Sequence, residues 1–238
     1  MKDEEKLISD MPDYDDYFRW KMSVNDWGTF FELSESETKE LDLQFRESNI
    51  EIKNDKVLEL GFGSGKILKF LKDKGCLVEG IEIQDNLVKL AEEKGFKSYK
   101  NIEDVSGNYD LIVGFDVLEH MSLNQLKEFF GHAVKKLKPS GKMLFRFPNG
   151  DSYAGMAAQN GDYTHISTIG QSKLRQIVEP FGLEIESFQG RVDYPVQKIK
   201  NTLLNIIRWP FIKIIGFNIP YFFSGNVVAV LKFAKKNK

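Results

Sequence analysis

The sequence has little cysteine, little net charge and no long run of uncharged apolar residues. Cys76 is the one cysteine among 238 residues, so an internal disulfide and a cysteine-based zinc site are both excluded. The formal net charge of −2 argues against a dedicated nucleic-acid binder, because such domains are normally basic. No run predicts a membrane-spanning helix, and the start MKDEEKLISDM lacks the apolar core of a secretory signal. We expect a cytoplasmic protein that binds no nucleic acid.

What the chain does contain is an alternation of strand-like and helix-like segments over most of its length. Predicted strands cover residues 56–60, 76–83, 96–100, 142–148, 183–190 and 226–236, and a further strand opens the segment 109–120. Predicted helices cover residues 35–48, 65–75, 85–95, 122–137 and 171–182. This order predicts βαβ units and a mostly parallel sheet. The two final strands have no clear helix between them, which predicts an antiparallel pair at the end.

Several residues with strong positional preferences predict where these elements begin and end. Asp85 and Ser122 are suited to cap the first turns of their helices. Gly95 is suited to end the first of the two, and Pro180 to break the helix that precedes it. The segment KPSG, residues 138–141, predicts a turn before the strand KMLFRFP.

A cluster of alternate glycines in the segment LELGFGSGK follows the first predicted strand. Gly61, Gly63 and Gly65 have the spacing G-x-G-x-G, and Glu59 precedes them by two positions. A dinucleotide-binding loop would instead have G-x-G-x-x-G. A phosphate-binding Walker loop needs a hydroxyl after its lysine, and here Ile67 stands in that place. Glycines at this spacing predict a loop whose backbone passes close to a ligand.

The stretch VLELGFGSGKILKFL resembles motif I of the class I S-adenosylmethionine (SAM) methyltransferases. The resemblance implies a Rossmann-like α/β sandwich with a mostly parallel seven-stranded sheet, whose last strand is antiparallel. It also implies SAM as cofactor and S-adenosylhomocysteine as product. Gly61, Gly63 and Gly65 would then form a floor without side chains under the methionine part and ribose of SAM. Glu59 would hold the SAM ammonium group, directly or through water.

Two later segments are candidates for the rest of the cofactor site. Glu82 ends the second predicted strand, where a carboxylate can accept hydrogen bonds from both ribose hydroxyls. In the family, an apolar side chain after the third strand packs on adenine, and an acid or amide reads its amino group. Ile102 and Glu103 are our choices for these roles, with Asn101 and Asp104 as alternatives.

The segment GFDVLEHM, after the fourth predicted strand, resembles the V-L-E-H motif of many SAM methyltransferases. The resemblance implies that Phe115 and Asp116 line the methionine end of SAM. In quinone O-methyltransferases, an acid-x-x-Glu-His motif here is described as binding a divalent metal, so Asp116, Glu119 and His120 are candidate ligands. The alternative is a site without metal, in which Glu119 and His120 pack or bond to backbone. His120 is also a candidate general base.

The segment FRFPNGDSYAGMAAQNGDYTHIST, after the fifth predicted strand, resembles methyltransferases of cell-surface polysaccharide gene clusters. The matching positions are Pro148, Asn149, Asp162, Thr164, His165 and Leu174. The resemblance implies a glycan-type acceptor, with Asn149, Asp162 and Tyr163 as candidate acceptor-binding residues. His165 then competes with His120 for the role of base, unless it is a loop histidine bonded to backbone. The remaining histidine, His132, is expected to be structural or exposed.

The ends of the chain contain two further predicted parts. Residues 1–55 predict an aromatic and helical lid, and residues 56–238 the methyltransferase domain, with an apolar and basic insert at 191–225. The insert is a candidate cover of the acceptor pocket, a dimer interface, or a peripheral membrane contact through residues 196–223 at the inner face of the membrane. The sequence leaves the oligomeric state open.

The leading functional hypothesis is therefore SAM-dependent O-methylation of a sugar or a sugar-containing cell-surface intermediate. A first alternative is O-methylation of a small aromatic or quinone-like acceptor, with or without a metal. A second alternative is a SAM-binding module without catalysis.

Overall fold

The computed structural model describes residues 29–190, 203, 206 and 224–235. The strands are β1 (Lys56–Leu60), β2 (Leu77–Ile81), β3 (Lys97–Tyr99), β4 (Tyr109–Phe115), β5 (Leu137–Pro148), β6 (Leu183–Gly190) and β7 (Asn226–Phe233). The α-helices with described bounds are α1 (Glu35–Glu47), α2 (Lys66–Asp73), α3 (Asp85–Glu93), α4 (Leu123–Lys136), α5 (Tyr153–Asn160) and α6 (Gln171–Val178). Single turns of 3-10 helix span Leu118–His120 and Glu179–Phe181.

All seven strands form one sheet in the order β3-β2-β1-β4-β5-β7-β6. The pairings among β1 to β5 are parallel. The last strand, β7, pairs antiparallel with β5 on one side and β6 on the other. The predicted Rossmann-like sheet, mostly parallel with an antiparallel last strand, is confirmed. In this order the carboxyl ends of β1, β2, β4 and β5 meet at one edge, where open α/β sheets bind ligands.

Both faces of the sheet are covered by helices, as a mostly parallel sheet requires. On one face, Phe45 of α1 packs on Phe70 of α2, with ring centroids 5.6 Å apart, and on Phe115 of β4 at 6.3 Å. On the other face, Phe130 of α4 contacts Phe145 of β5 at 5.8 Å. Leu174 of α6 is buried in the same cluster as these two residues. The core is therefore continuous from helix to sheet to helix.

The helix starts follow from short local signals. Ser34 and Glu37 form a reciprocal capping box at the start of α1. Ser122 and Gln125 do the same at the start of α4, so the predicted cap at Ser122 is confirmed. The predicted end of α3 is also confirmed, because Gly95 follows the helix with a φ of +75°, a conformation that glycine adopts without strain.

Two local predictions need correction. The N-cap of α3 is Gln84, and Asp85 is the first helical residue, where its charge still complements the helix dipole. The segment 138–141 lies inside β5 and does not precede it. It forms an irregularity in that strand, since Tyr109 pairs with Leu137 but Leu111 pairs with Lys142.

The predicted lid and insert lie largely outside the described residues. Within the segment 1–55, helix α1 packs on the sheet through the buried Phe45, and residues 1–28 are not described. Within the segment 196–223, only Leu203 and Ile206 are described; both are helical and exposed. None of the described helices combines the length and the hydrophobicity that crossing a bilayer requires.

The stability of the sheet should depend on buried leucines and not on exposed ones. Leu58 of β1 is fully buried, whereas Leu77 of β2 is 70% exposed. We expect Leu58→Ala to lower the free energy of unfolding by about 2–5 kcal/mol, because it leaves a cavity. Leu77→Ala is the matched control and should change it by about 0.5 kcal/mol. Urea unfolding followed by circular dichroism measures both; equal losses would contradict this packing.

Candidate active site

The glycine loop adopts a conformation that other residues would find strained. Gly61, Gly63 and Gly65 have φ angles of +63°, +47° and +72°. The backbone N–H of Gly61 donates to the carbonyl of Ile81 at 2.8 Å, and that of Gly65 donates to the carbonyl of Phe62 at 2.7 Å. The loop therefore turns sharply from β1 into α2 and is fastened to the end of β2.

The space beside two of these glycines is filled by the protein itself. A Cβ atom on Gly61 would lie 2.8 Å from Cγ2 of Val117, and one on Gly65 would collide with the ring of Phe31. Phe31 is held there by its backbone N–H, which donates to the carbonyl of Ser64 at 2.8 Å. We predicted that glycines occur here because they leave room for the cofactor. Packing within the protein is a second reason, because Val117 and Phe31 leave no room for a side chain at Gly61 and Gly65.

Two buried carboxylates flank the glycine loop. Glu59 is 2% exposed, and its Oε2 atom has no hydrogen-bond partner among the residues that the structure describes. Burial raises the pKa of Glu59 well above its usual value, and the nearby Glu82 raises it further. Glu82 accepts hydrogen bonds from the backbone N–H groups of Gly63 at 3.0 Å and Gln84 at 3.1 Å. Burial likewise raises the pKa of Glu82.

These contacts divide the roles of the two acids. The Oε2 atom of Glu59 is a buried acceptor without a donor among the described residues, which suits the ammonium group predicted for it. Glu82 fixes the shape of the loop, and its carboxylate has acceptor capacity left for ribose hydroxyls. Both cofactor roles stay predictions, as does the role of Gly63 beneath the ligand.

The predicted adenine residues differ in their surroundings. Ile102 is buried in a cluster with Leu60 and Ile81, at the carboxyl ends of β1 and β2. Glu103 is partly exposed, and its Oε1 atom lies 3.2 Å from Nε2 of His132 on α4. Ile102 is thus at the edge where the cofactor is expected, and Glu103 already has a partner. His132 is partly buried beside Glu103, and its expected structural role stays a prediction.

Phe115 and Asp116, which we predicted to line the methionine end of the cofactor, both have partners within the protein. The ring of Phe115 packs against Phe45 on the core side of the sheet, with the guanidinium of Arg146 over it at 4.6 Å. Asp116 accepts from Nε of Arg146 at 3.1 Å, and its backbone N–H donates to the Arg146 carbonyl at 2.7 Å. Its φ of +55° is rare for aspartate and directs the chain into the following 3-10 turn. Phe115 is a core residue, and Asp116 anchors this turn.

The 3-10 turn after β4 is joined to the loop after α5 by two backbone hydrogen bonds. The N–H groups of Ile166 and Ser167 both donate to the carbonyl of Glu119, at 2.8 and 2.9 Å. The Glu119 side chain is 1% exposed, and within the described ranges neither carboxylate oxygen has a hydrogen-bond partner. Burial raises the pKa of Glu119 well above its usual value, and the nearby negative charge of Asp116 adds to this effect.

This junction brings the two candidate bases together. The rings of His120 and His165 are in edge-to-face contact, with centroids 4.7 Å apart. Nδ1 of His120 lies 2.9 Å from Oγ1 of Thr164, and that hydroxyl donates to Oδ1 of Asp162 at 2.6 Å. Nε2 of His165 lies 3.9 Å from Oδ2 of Asp162 and 4.0 Å from Oε1 of Glu119. The two predicted bases lie in separate sequence motifs, and the fold therefore brings them into one cluster.

The structure groups a different set of possible metal ligands from the one that we predicted. Donor atoms of Glu119, His120 and His165 all lie within 4.8 Å of one another, and among the described residues Asp116 is not part of this group. Asp116 instead pairs with Arg146. Two imidazoles and one carboxylate suit a transition metal better than a magnesium-like ion, which prefers oxygen ligands. A metal here stays a prediction, with His165 in the place of Asp116.

The acceptor residues predicted after β5 also differ in their roles. Asn149 is fully buried: its Nδ2 donates to the carbonyl of Ser224 at 3.3 Å, and its Oδ1 accepts from the N–H of Asp151 at 3.0 Å. Asn149 therefore ties this loop to the segment before β7, a structural role that the sequence did not predict, and acceptor binding by Asn149 stays a prediction. Asp162 uses Oδ1 for Thr164, and Tyr163 is 67% exposed beside them. Acceptor binding by these two residues stays a prediction.

A sequence profile described as "Methyltransferase domain" matches residues 35–187, which include the glycine loop, the pair His120 and His165, strands β1 to β5 and the first part of β6. The chain belongs to this methyltransferase family. As a member of this family it is a methyltransferase, and the glycine loop flanked by the acids Glu59 and Glu82 fits SAM as the methyl donor.

Curated relatives of this methyltransferase act on different acceptors. A phosphoethanolamine N-methyltransferase of Plasmodium falciparum is 29% identical over 173 residues, which cover 67% of this chain and 63% of that protein. A ubiquinone biosynthesis O-methyltransferase of Coxiella burnetii is 24% identical over 176 residues, covering 65% of this chain and 74% of that protein. The match thus spans less than two thirds of the first relative.

The solved structures show the same fold. A SAM-dependent methyltransferase from Archaeoglobus fulgidus superposes with a TM-score of 0.63 at 20% identity. The superposition covers 92% of this chain and 99% of the other.

Some residues that shape the site of this methyltransferase were not predicted from the sequence. Phe31 and Val117 fill the space beside two glycines, and Arg146 holds Asp116. Thr164 was part of a recognised motif but had no assigned role. The pattern Asp-x-Thr, which favours a side-chain-to-backbone turn, is the one signal that could have indicated it.

The buried charge of Glu59 should lower stability without cofactor and strengthen cofactor binding. Because its pKa is raised in the folded state, the folded protein loses stability as the pH rises above the usual glutamate pKa. We expect Glu59→Gln to unfold at a higher temperature than the parent at about pH 8, with the difference shrinking toward about pH 4. The same change should weaken SAM binding about ten- to a hundredfold, because it removes a charged hydrogen-bond acceptor.

Thermal unfolding across pH and titration calorimetry with S-adenosylhomocysteine measure the two effects. Glu92→Gln, on the exposed face of α3, is the matched control and should change neither quantity. An unchanged affinity in Glu59→Gln would remove Glu59 from the ammonium site.

Proposed function

We propose that this methyltransferase transfers the methyl group of SAM to a hydroxyl of a sugar or a sugar-containing cell-surface intermediate. The observation that carries the proposal is the pair His120 and His165, with ring centroids 4.7 Å apart beside the carboxyl edge of the sheet. A hydroxyl must lose its proton as it is methylated, and histidine is the side chain best suited to accept it near neutral pH.

The proposed reaction is an in-line displacement. The acceptor oxygen attacks the methyl carbon of the sulfonium, a carbon–oxygen bond forms, and the carbon–sulfur bond breaks with its electron pair going to sulfur. The hydroxyl proton passes to a histidine nitrogen, and S-adenosylhomocysteine leaves. Most of the acceleration would come from holding the two reactants in line and from excluding water.

Support for a sugar acceptor comes from the segment between β5 and β6. It has the Asp-x-Thr-His pattern on which the likeness to polysaccharide-cluster enzymes rests, and the fold places this pattern against the V-L-E-H turn. Asp162 and the exposed Tyr163 offer a hydrogen-bond acceptor and an aromatic face, which are the groups that bind sugar rings.

A second candidate acceptor is a small aromatic or quinone-like hydroxyl. The relative from Coxiella burnetii favours it, as does the group of Glu119, His120 and His165, whose donor atoms could hold a divalent metal. The buried Glu119 carboxylate without a described partner suits a cation. A histidine that binds a metal through the same nitrogen cannot also take the proton, so the metal-assisted and metal-free routes exclude each other there.

A panel of acceptors with radiolabelled SAM tests the acceptor class. We expect transfer of label to sugar nucleotides or glycolipids and none to catechols, quinols or phosphoethanolamine. The control is the same panel after treatment with a chelator, which should leave the rate unchanged. Transfer to a quinol that the chelator abolishes would instead establish the second candidate. A protein that binds SAM and transfers no methyl group to any acceptor would point to a binding module without catalysis.

Variants of the three histidines test the proposed proton acceptor. Loss of a general base typically lowers turnover about 10²- to 10⁴-fold. We expect a loss of this size from His120→Ala or His165→Ala, with the affinity for S-adenosylhomocysteine retained. His132→Ala is the matched control and should keep full turnover at saturating SAM, because His132 contacts Glu103 away from the pair. If both first variants keep the full rate, no general base acts in this cluster.

A further inference from the structure

We propose that Thr164 and Asp162 are positioning residues that fix the tautomer of His120, so that its Nε2 atom is the proton acceptor. The inference rests on the proposed function and sharpens it, because it chooses between two histidines that the sequence left equal. The inference is based on a chain of hydrogen bonds in which the Thr164 hydroxyl contacts both Asp162 and His120.

The direction of these hydrogen bonds follows from the number of protons available. A threonine hydroxyl has one proton to donate and lone pairs to accept with. Oγ1 of Thr164 lies 2.6 Å from Oδ1 of Asp162, a distance typical of a strong bond to a carboxylate. An ionised carboxylate only accepts, so the hydroxyl proton points at Asp162. The backbone N–H of Thr164 also donates to Oδ1 of Asp162 at 3.0 Å, and this second bond fixes the position of the Asp162 carboxylate.

The contact between Thr164 and His120 then has one possible polarity. Since the hydroxyl proton is already given to Asp162, Oγ1 can only accept from Nδ1 of His120, 2.9 Å away. Nδ1 therefore carries a proton in the neutral ring, and the lone pair is on Nε2. Which nitrogen of a histidine is protonated is generally set by the hydrogen bond that the other one makes.

The surroundings make this arrangement rigid. Thr164 is fully buried, and its loop is held by the two N–H groups that donate to the Glu119 carbonyl. The His165 ring packs edge-on against His120 and limits its rotation. His165 itself lies between Asp162 and Glu119, at 3.9 and 4.0 Å, beyond hydrogen-bond distance of both. The described contacts therefore fix the tautomer of His120 and leave that of His165 without a comparable constraint.

Nitrogen NMR of the full chain with labelled histidine tests the proposal directly. At a pH where the ring is neutral, the His120 signals, assigned by their loss in H120A, should show the Nδ1–H tautomer. Thr164→Val keeps the shape of the side chain but removes the hydroxyl, so the Nε2–H tautomer should gain population. Thr164→Ser restores the hydroxyl and should restore the parent spectrum.

The activity of the same variants provides the second readout. With one hydrogen bond lost, we expect Thr164→Val to lower kcat about tenfold while KM for the acceptor and the affinity for S-adenosylhomocysteine hold. Thr164→Ser should recover most of kcat. Thr168→Val is the matched control: it makes the same change four positions along the loop and should leave spectrum and rate unchanged.

The outcomes separate this inference from the proposed function. An Nε2–H tautomer for His120 in the parent protein would overturn the inference, even if T164V failed to fold. A T164V chain with the tautomer and rate of the parent would overturn it as well. Failure to methylate any acceptor would instead remove the proposed function, and the tautomer would still be measurable because NMR needs no acceptor.

Discussion

The catalytic half of the site depends on one carbonyl group, that of Glu119, which accepts from two consecutive backbone N–H groups of the loop after α5. Those two bonds join the turn after β4 to a loop that leaves the neighbouring strand, β5. Without them, Thr164 and His165 would have no fixed position relative to His120. The parallel order of β4 and β5 makes the contact possible, because it brings the carboxyl ends of both strands to the same edge.

The same edge collects buried carboxyl groups. Glu59 and Glu119 are almost fully buried, and the pKa of each is raised because water is excluded from the carboxylate. SAM brings a sulfonium and an ammonium group, so its binding supplies positive charge to a region that lacks it. Arg146 is engaged by Asp116 and stacked over Phe115, which leaves the cofactor as a suitable counter-charge for Glu59. Stability without cofactor and affinity for it are therefore opposed at this residue.

The sequence predicted the sharp glycine loop and the nearness of Glu59 and Glu82 to it, because those signals are local. The glycine spacing, the acid before it and the acid ending β2 all lie within one βαβ unit, so their proximity follows from the fold class. The link between His120 and Thr164 spans 44 positions and depends on strand order and loop shape, which no local pattern carries. The contacts of Phe115 with Phe45 and of Asn149 with Ser224 were missed for a related reason: a motif locates a residue at a strand end but not the side to which its side chain points. Asp116 left the predicted ligand set because its left-handed φ directs it to Arg146.

The charged side chains around His120 and His165 help to decide which class of acceptor, among those named for the relatives, this site would accept. Phosphoethanolamine carries an anionic phosphate, which would need a cation close to the reacting group. The side chains around His120 and His165 are instead Glu119 and Asp162, and the nearest described arginine, Arg146, is paired with Asp116. Asp162 would repel a phosphate placed next to it unless another part of the chain supplied a cation, whereas a neutral sugar hydroxyl would meet hydrogen-bond acceptors. This charge distribution supports the proposal of a neutral hydroxyl as the reacting group, and the proposal then requires any phosphate of the acceptor to lie at a distance from the histidine pair.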